Sequence, residues 1–403
     1  MVTDLLKDLI IVGSGPAGAS AAKIAANNGL DVLLFDKEEF PRYKQCGGAL
    51  GARVTNIIPA KDIEELPSVR KTHGLCMISP SQKHVAKFYR EGHNGYFVSR
   101  IHFDNYLHEK ALEAGAVFQQ ERVLTAKYID NGIKVKTKNA TYNSRLLIIA
   151  NGFYSRLPAM FNFPQVTDSE YIGLSLNSES PIPEKTLDEY FGEKRLTTIF
   201  LGLAKNGYGY VFAMKNRLNI GVGGTQKYVK NIKQLYSDFV KLVKDFYGIK
   251  KLSLNKPRGY RSPFYKPMKK AFTDRVMVAG DAAWMINALT GEGVYYALVA
   301  GKFAGETAVE AINTNDSSAQ FLSKYNERWM ESFGHDLNKY ASPLRKMFFK
   351  SNKRMELAVK MAKADEKMIK TLTETITNSI TCEEGYKRIL KRAPISFIKG
   401  IFS

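Results

Sequence analysis

Residues 8–36 read DLIIVGSGPAGASAAKIAANNGLDVLLFD, and the fold follows from what these positions must do. Asp8 to Val12 is a short apolar run that suits a buried strand, and Gly13-Ser14-Gly15-Pro16-Ala17-Gly18 follows it. An alanine-rich helix from Ala19 to Asn28 leads to a second apolar strand, Asp31 to Phe35, which ends in Asp36-Lys37. Strand, glycine turn, helix, strand and acid in that order make a dinucleotide-binding βαβ unit. Gly13 permits the tight turn, Gly15 lets backbone approach a pyrophosphate, and Gly18 lets helix and strand close on each other. The helix N-terminus offers unpaired N–H groups and a partial positive charge to phosphates. Asp36, 18 positions beyond Gly18, is placed to accept hydrogen bonds from an adenosine ribose, with Lys37 beside it at the cofactor.

The rest of the chain sets the class of partner. Its 403 residues are 44% hydrophobic and 24% charged, an ordinary globular balance that excludes disordered, collagen-like and disulfide-scaffold proteins and leaves room for two or three domains. The formal net charge is +20, and residues 345–403 carry the densest share, with 14 Lys and Arg against 6 Asp and Glu. Such a field favours anionic partners. No stacked-aromatic RNA motif, zinc finger or basic helix fork is present, so nucleic acid is not expected, and an anionic membrane face or a phosphorylated substrate fits better. Cys46, Cys76 and Cys382 are odd in number and far apart, which argues against a disulfide framework and for a reducing, cytoplasmic setting. The six histidines show no pair at metal spacing, so no metal site is expected. The N-terminus lacks the flanks of a signal peptide. The longest apolar-rich region, 276–300, is broken by Asp281 and Glu292 before it reaches the roughly 18 residues a membrane span needs.

Two further strands distinguish flavin from nicotinamide dinucleotide. Ser144 to Ala150 is an apolar strand that turns at Asn151-Gly152, and Asp274 to Ala279 is another that runs into Gly280-Asp281 at a helix start. An aspartate there can bind a ribityl hydroxyl while the helix N-terminus faces the cofactor. Arg100 precedes both in sequence, in SRIHFDNYL.

Five stretches together resemble the geranylgeranyl reductase family, a branch of the FAD-dependent monooxygenase-like superfamily. They are GSGPAGAS at 13–20, PRYKQCGGAL at 41–50, SRIHFDNYL at 99–107, YGYVFAMKNRLNIGVGG at 208–224 and GDAAWMINALTGEGVYYALVAGK at 280–302. The resemblance implies an α/β fold: a Rossmann-like three-layer FAD domain, a β-rich substrate domain and a C-terminal helical region. It implies FAD contacts at Gly18, Asp36, Arg100 and Asp281, with Val123 near the adenine. Cys46, Gly47 and Ala49 would line the isoalloxazine edge, and Gly293 and Val294 would offer N–H groups to its pyrimidine end. Tyr208, Tyr210 and Phe212 would line a prenyl channel, and the reaction would saturate C=C bonds of geranylgeranyl chains, as in archaeal-type ether lipids. Tyr210 and Ala288 stand where the family usually has Trp and Pro, and Asn151 where it has an acid, which bears on substrate shape and chain length.

Plainer readings stand beside these. Cys46 follows Arg42 and Lys44, a setting that suits a reactive thiol, although a free cysteine often serves as an inert small hydrophobe. Tyr208, Tyr210 and Phe212 share one strand face at period two, which is also how a plain core face looks. Glu292 is either a helix-end acid or an acid catalyst. Two other activities fit the same motifs: an FAD monooxygenase of an apolar substrate, and a prenyl-binding protein that kept a flavoprotein fold. No second nucleotide fingerprint follows, which leaves the electron donor open between NAD(P)H and ferredoxin.

The cofactor motifs must meet, so the FAD domain is discontinuous: 1–60, 100–165 and 270–312. Segments 61–99 and 166–269 build the substrate domain, and 313–403 the helical region, with Pro343 as a break. In Tyr386–Ser403 apolar and basic residues interleave as in a segment lying on anionic lipid, at the inner membrane face, with Pro394 breaking any continuous helix.

Overall fold

The computed structural model describes residues 2–401. The first sheet is built on the strand Val2–Val12, which runs parallel to Thr141–Ile149 on one side and Val32–Asp36 on the other. Val276–Val278 extends it beyond Thr141–Ile149, and Val117–Gln120 beyond Val32–Asp36, both parallel. Leu9 to Val12, Val32 to Phe35 and Leu146 to Ile149 are all buried, as parallel strands covered on both faces must be. The helices Pro16–Asn27, Arg100–Glu113 and Val294–Asn313 pack on one another over this sheet. The first and last meet so closely that a Cβ on Gly301 would overlap the carbonyl of Ala17.

The second sheet is mostly antiparallel and runs in the order 258–263, 172–181, 217–225, 208–213, 195–201, 70–78, 95–97, 49–51. Its two faces differ by the alternation of strand side chains. Val211, Ala213, Leu176, Phe200 and Ile220 point to the helix Ile232–Tyr247 and form a core with its Tyr236, Phe239 and Val243. Asn177, Ile199, Tyr208, Tyr210 and Phe212 point the other way, into a cavity.

Three sequence-based expectations change here. Ala49–Gly51, placed with the FAD domain, pairs with Gly95–Phe97 at the edge of the second sheet, a three-residue pairing that no local pattern announces. Pro343 does not interrupt the chain: Ala319–Trp329 continues through π turns at Met330–Gly334 and Leu337–Ala341 into Ser342–Phe348. Pro343 follows directly on the second π turn, whose wider winding accommodates the missing N–H within the continuous helix. Pro394 likewise sits inside a continuous helix, Cys382–Ile401. That helix is held by the buried Asp365, which accepts hydrogen bonds from Arg392 and Ser396 on either side of the proline. Phe402 and Ser403, part of the interfacial segment read from sequence, lie outside the described residues.

Candidate functional site

In parallel sheets, ligands bind at the carboxyl ends of the strands, where neighbouring connections leave in opposite directions. Here four such ends converge: Val12 leads to Gly13, Phe35 to Asp36, Ile149 to Ala150 and Asn151, and Val278 to Gly280 and Asp281. A cavity of about 820 Å³ opens at that point and passes between the two sheets. This is near the upper end of ordinary ligand sites.

The turn after Val12 is shaped by what it cannot carry. Gly13 has φ +102°, and a Cβ there would stand 2.6 Å from the Ala150 carbonyl oxygen. A Cβ on Gly18 would overlap the carbonyl oxygen of Gly13, so Gly18 lies behind the cavity wall and sets how closely the helix meets the turn. Gly15 differs: a Cβ there would find only Arg42 Nη2, at 3.7 Å, because Gly15 faces the cavity. Asp36 accepts from the N–H of Ser14 at 2.9 Å and of Glu38 at 3.1 Å, which fixes its carboxylate at the cavity edge beside Lys37. A backbone cradle free of side chains, a helix N-terminus and an oriented acid fit an adenine dinucleotide.

Val123, Arg100 and Asp281 also line this cavity, as do Gly293 and Val294. Asp281 stands in a short 3₁₀ turn, Gly280–Ala283, and the helix expected directly after it begins only at Val294, with Gly293 as its cap. Arg100 is buried and forms a paired contact with Asp104 one turn on, Nη2 to Oδ2 at 2.9 Å. Burial alone would lower the pKa of Arg100; Asp104 and the neighbouring Cys46 outweigh that and raise it. Asp104, fully buried, is lifted by burial but held below the ordinary carboxylate value by Arg100, Arg42 and Lys44. Arg42 Nη1 lies 3.1 Å from Asp104 without the alignment of a hydrogen bond. Lys44 stands over the Tyr260 ring at 3.4 Å, and burial pulls its pKa down to about 8, against the charge of Asp281.

Cys46, Gly47 and Ala49 form the adjoining wall. The Cys46 carbonyl is gripped by Asn177 at 3.2 Å and Asn219 at 2.9 Å, which fastens the loop to the second sheet. Gly47 lies under the aromatic face, since a Cβ there would meet Phe212 at 2.9 Å and Tyr210 at 3.1 Å. Tyr210 stacks on Phe212 at 4.4 Å, Phe212 on Phe97 at 4.8 Å, and the Tyr208 hydroxyl donates to the Thr290 carbonyl. Asp104, Asn177 and Asn219 escaped the sequence reading, which had Lys44 only as a cation beside Cys46. For Asp104 the signal was present: an Arg and an Asp four apart on a helix whose Phe103 and Leu107 are buried. Cys76 and Cys382 are elsewhere, their thiols pushed up by burial to about 11 and about 12. Among the described residues no group of histidine, cysteine or carboxylate side chains is arranged for a metal.

Glu292 lines the cavity and accepts from the Gly51 N–H at 3.4 Å. Burial raises its pKa from 4.5 to about 7, opposed by that N–H and by Arg53. Between these values the folded chain keeps a proton that the unfolded chain releases, so stability falls as pH rises through the window. The cavity softens the penalty, which amounts to roughly 2–3 kcal/mol at most. Glu292→Gln is expected to flatten the decline in unfolding free energy between pH 4.5 and 7, measured by denaturant titration at each pH.

Comparison with known proteins gives the site its class. Residues 7–189 match the pyridine nucleotide-disulphide oxidoreductase family. The chain is 28% identical over 346 residues to digeranylgeranylglycerophospholipid reductase 1 of Methanopyrus kandleri, covering 81% of this chain and 86% of that protein. Its fold superposes on the geranylgeranyl bacteriochlorophyll reductase-like protein of Thermoplasma acidophilum with a TM-score of 0.83, at 23% identity and 97% coverage of both chains. A variant of the halogenase PltM in complex with FAD superposes with a TM-score of 0.68, at 15% identity, over 91% of this chain and 79% of that one. With the dinucleotide cradle at its strand ends and FAD as its cofactor, the chain is an FAD-dependent oxidoreductase, similar over most of its length to the digeranylgeranylglycerophospholipid reductases.

Proposed function

We propose that the protein saturates C=C bonds in the geranylgeranyl chains of an archaeal-type ether lipid or a closely related isoprenoid lipid. The observation that carries this reading is the course of the cavity. It starts at the cofactor residues, passes the aromatic face of Tyr208, Tyr210 and Phe212, and continues between C-terminal helices along Met347, Phe348, Met361, Leu372 and Ile376. An apolar channel of this kind matches a long hydrocarbon tail, whose transfer from lipid is offset only by apolar lining.

Saturating an isolated alkene adds a hydride to one carbon and a proton to the other. When bound, reduced FAD supplies the hydride. The chain's own part is to hold the double bond in line, exclude water and bring the proton, and positioning alone is worth up to about 7–11 kcal/mol in favourable cases. The aromatic stack over Gly47 clamps the hydrocarbon. Cys46, beside Arg100 and between the cofactor residues and that stack, is the group placed to relay the proton or fix the alkene. Cys46→Ala is expected to keep its FAD and lose turnover by about 10²-fold or more, the usual worth of a positioned acid; full turnover would remove Cys46 from the chemistry.

The function itself is tested by mass spectrometry of a geranylgeranyl ether lipid incubated with the FAD-loaded protein and a chemical reductant. Each reduced bond adds two hydrogens. A product carrying an added oxygen would instead make the protein a monooxygenase, and an unchanged lipid that copurifies would make it a binding protein.

A further inference from the structure

Where the apolar channel reaches the surface, the terminal helix carries a feature that the chemistry of the site does not use. Leu357, on the helix Asn352–Ala364, lines the cavity and is also 39% exposed, so the channel opens there, next to the exposed, cavity-lining Arg354. The helix Cys382–Ile401 packs beside this opening: its Ile389 and Ala393 line the cavity, and a Cβ on Gly400 would stand 3.6 Å from Met361.

The other side of the helix is bare. Leu390, Pro394, Phe397, Ile398 and Ile401 recur at helical spacing and form one stripe, in which the four large apolar side chains are 45–58% exposed. Lys391 and Lys387, the latter paired with Glu383, lie along one edge of the stripe, and Arg354 stands at the opening. The helix cannot easily turn the stripe inward. Asp365 holds its opposite side through Arg392, Ser396 and Lys399, and Arg392, against the pull of burial, keeps that carboxyl charged to well below its ordinary value. Among the described residues no helix is long and apolar enough to cross a membrane.

We infer that this stripe docks the protein on the surface of an anionic phospholipid bilayer, with the channel mouth brought to the lipid. An exposed apolar stripe with a cationic edge, on a helix too polar to insert, is the pattern of an interfacial helix. Charge decides between occupants. A second copy would bring another segment of 14 cationic and 6 anionic residues against the first, whereas an anionic bilayer is complementary to it. The inference deepens the proposed function, since a lipid substrate would then pass from the bilayer into the channel without crossing water.

The test uses the full-length FAD-loaded protein, without prenyl substrate, in flotation with two kinds of vesicle. One is phosphatidylcholine alone and the other contains added phosphatidylglycerol. Binding is expected to the second only, and to be released by high salt. Ile398→Glu with Ile401→Glu is expected to abolish it, and Lys387→Glu with Lys391→Glu to weaken it by about tenfold or more. Both pairs should keep the flavin absorbance and act normally on detergent-dispersed substrate, because none of these side chains lines the cavity. Equal binding to both vesicles, or unchanged binding by the variants, overturns the inference. So does a concentration-dependent dimer that Ile398→Glu dissociates, which would mean that a second copy covers the stripe. A protein that binds vesicles but reduces no prenyl chain would refute the proposed function and leave the docking intact.

Discussion

Gly18→Val is expected to give a colourless protein whose affinity for FAD has fallen by about 100-fold or more, with a lowered melting temperature. The obstacle to the new side chain is the carbonyl oxygen of Gly13, which is backbone and cannot swing away. Gly13 itself is fixed at φ +102° against Ala150 and Asn151, so the strain passes to the first helix, which must lift off the turn. Overpacking against side chains costs about 1–3 kcal/mol, and a backbone obstacle adds to that. Lifting the helix also moves the N–H groups at its start, which face the cavity where the resemblance expects a pyrophosphate, so fold and cofactor are expected to fail together. Gly15→Ala separates the two effects. Its methyl would enter the cavity and meet only Arg42 at 3.7 Å, so the melting temperature of the FAD-free protein is expected to stay unchanged while FAD binding weakens. If Gly18→Val keeps its yellow colour and melts normally, the close contact at Gly13 does not govern the site.

The contrast between these two glycines explains why so much of the first domain could be read in advance. Gly18 is forced by the carbonyl of Gly13 five residues back, and Gly13 by its own positive φ, and local demands of this kind leave a sequence pattern. The aromatic face was legible for the same reason: period two on Tyr208, Tyr210 and Phe212 follows from strand geometry alone. What stayed hidden depends on partners far away in sequence. Asn177 and Asn219 stand on neighbouring strands and meet over the Cys46 carbonyl, and neither strand signals it. Lys44 looks like a surface cation in its loop, yet it lies against Tyr260. Pro343 and Pro394 read as helix breaks because the rule assumes an interior hydrogen bond to lose. The π turns before one proline and the Asp365 anchor around the other supply the context that the rule leaves out.

Asp104→Ala is expected to destabilise the protein by about 3–5 kcal/mol, the cost of leaving buried charge without its counter-ion. Asp104 is fully buried and balances Arg100 and Arg42 directly and Lys44 at longer range. Its removal leaves three cations facing one cavity wall, with Asp281 as the remaining carboxylate near Lys44. The loss should depend on pH in a definite direction. The folded-state pKa of Asp104 lies below its ordinary 3.8, so its stabilising effect is complete above that value and disappears as pH falls through the folded-state pKa. Wild type and Asp104→Ala should therefore differ most near neutrality and converge in acid, as followed by urea unfolding at each pH. Asp104→Asn keeps the shape without the charge and should lose nearly as much, which would identify charge rather than packing as the cause. FAD content is the second readout. Arg100 lines the cavity between Asp104 and Cys46, and without its carboxylate it is free to turn toward other partners, so both variants should bind FAD more weakly even where they remain folded. Variants within about 1 kcal/mol of wild type at neutral pH, a loss small for any buried ion pair, would show that water or the remaining acids satisfy these cations and that the cluster does not hold the site together.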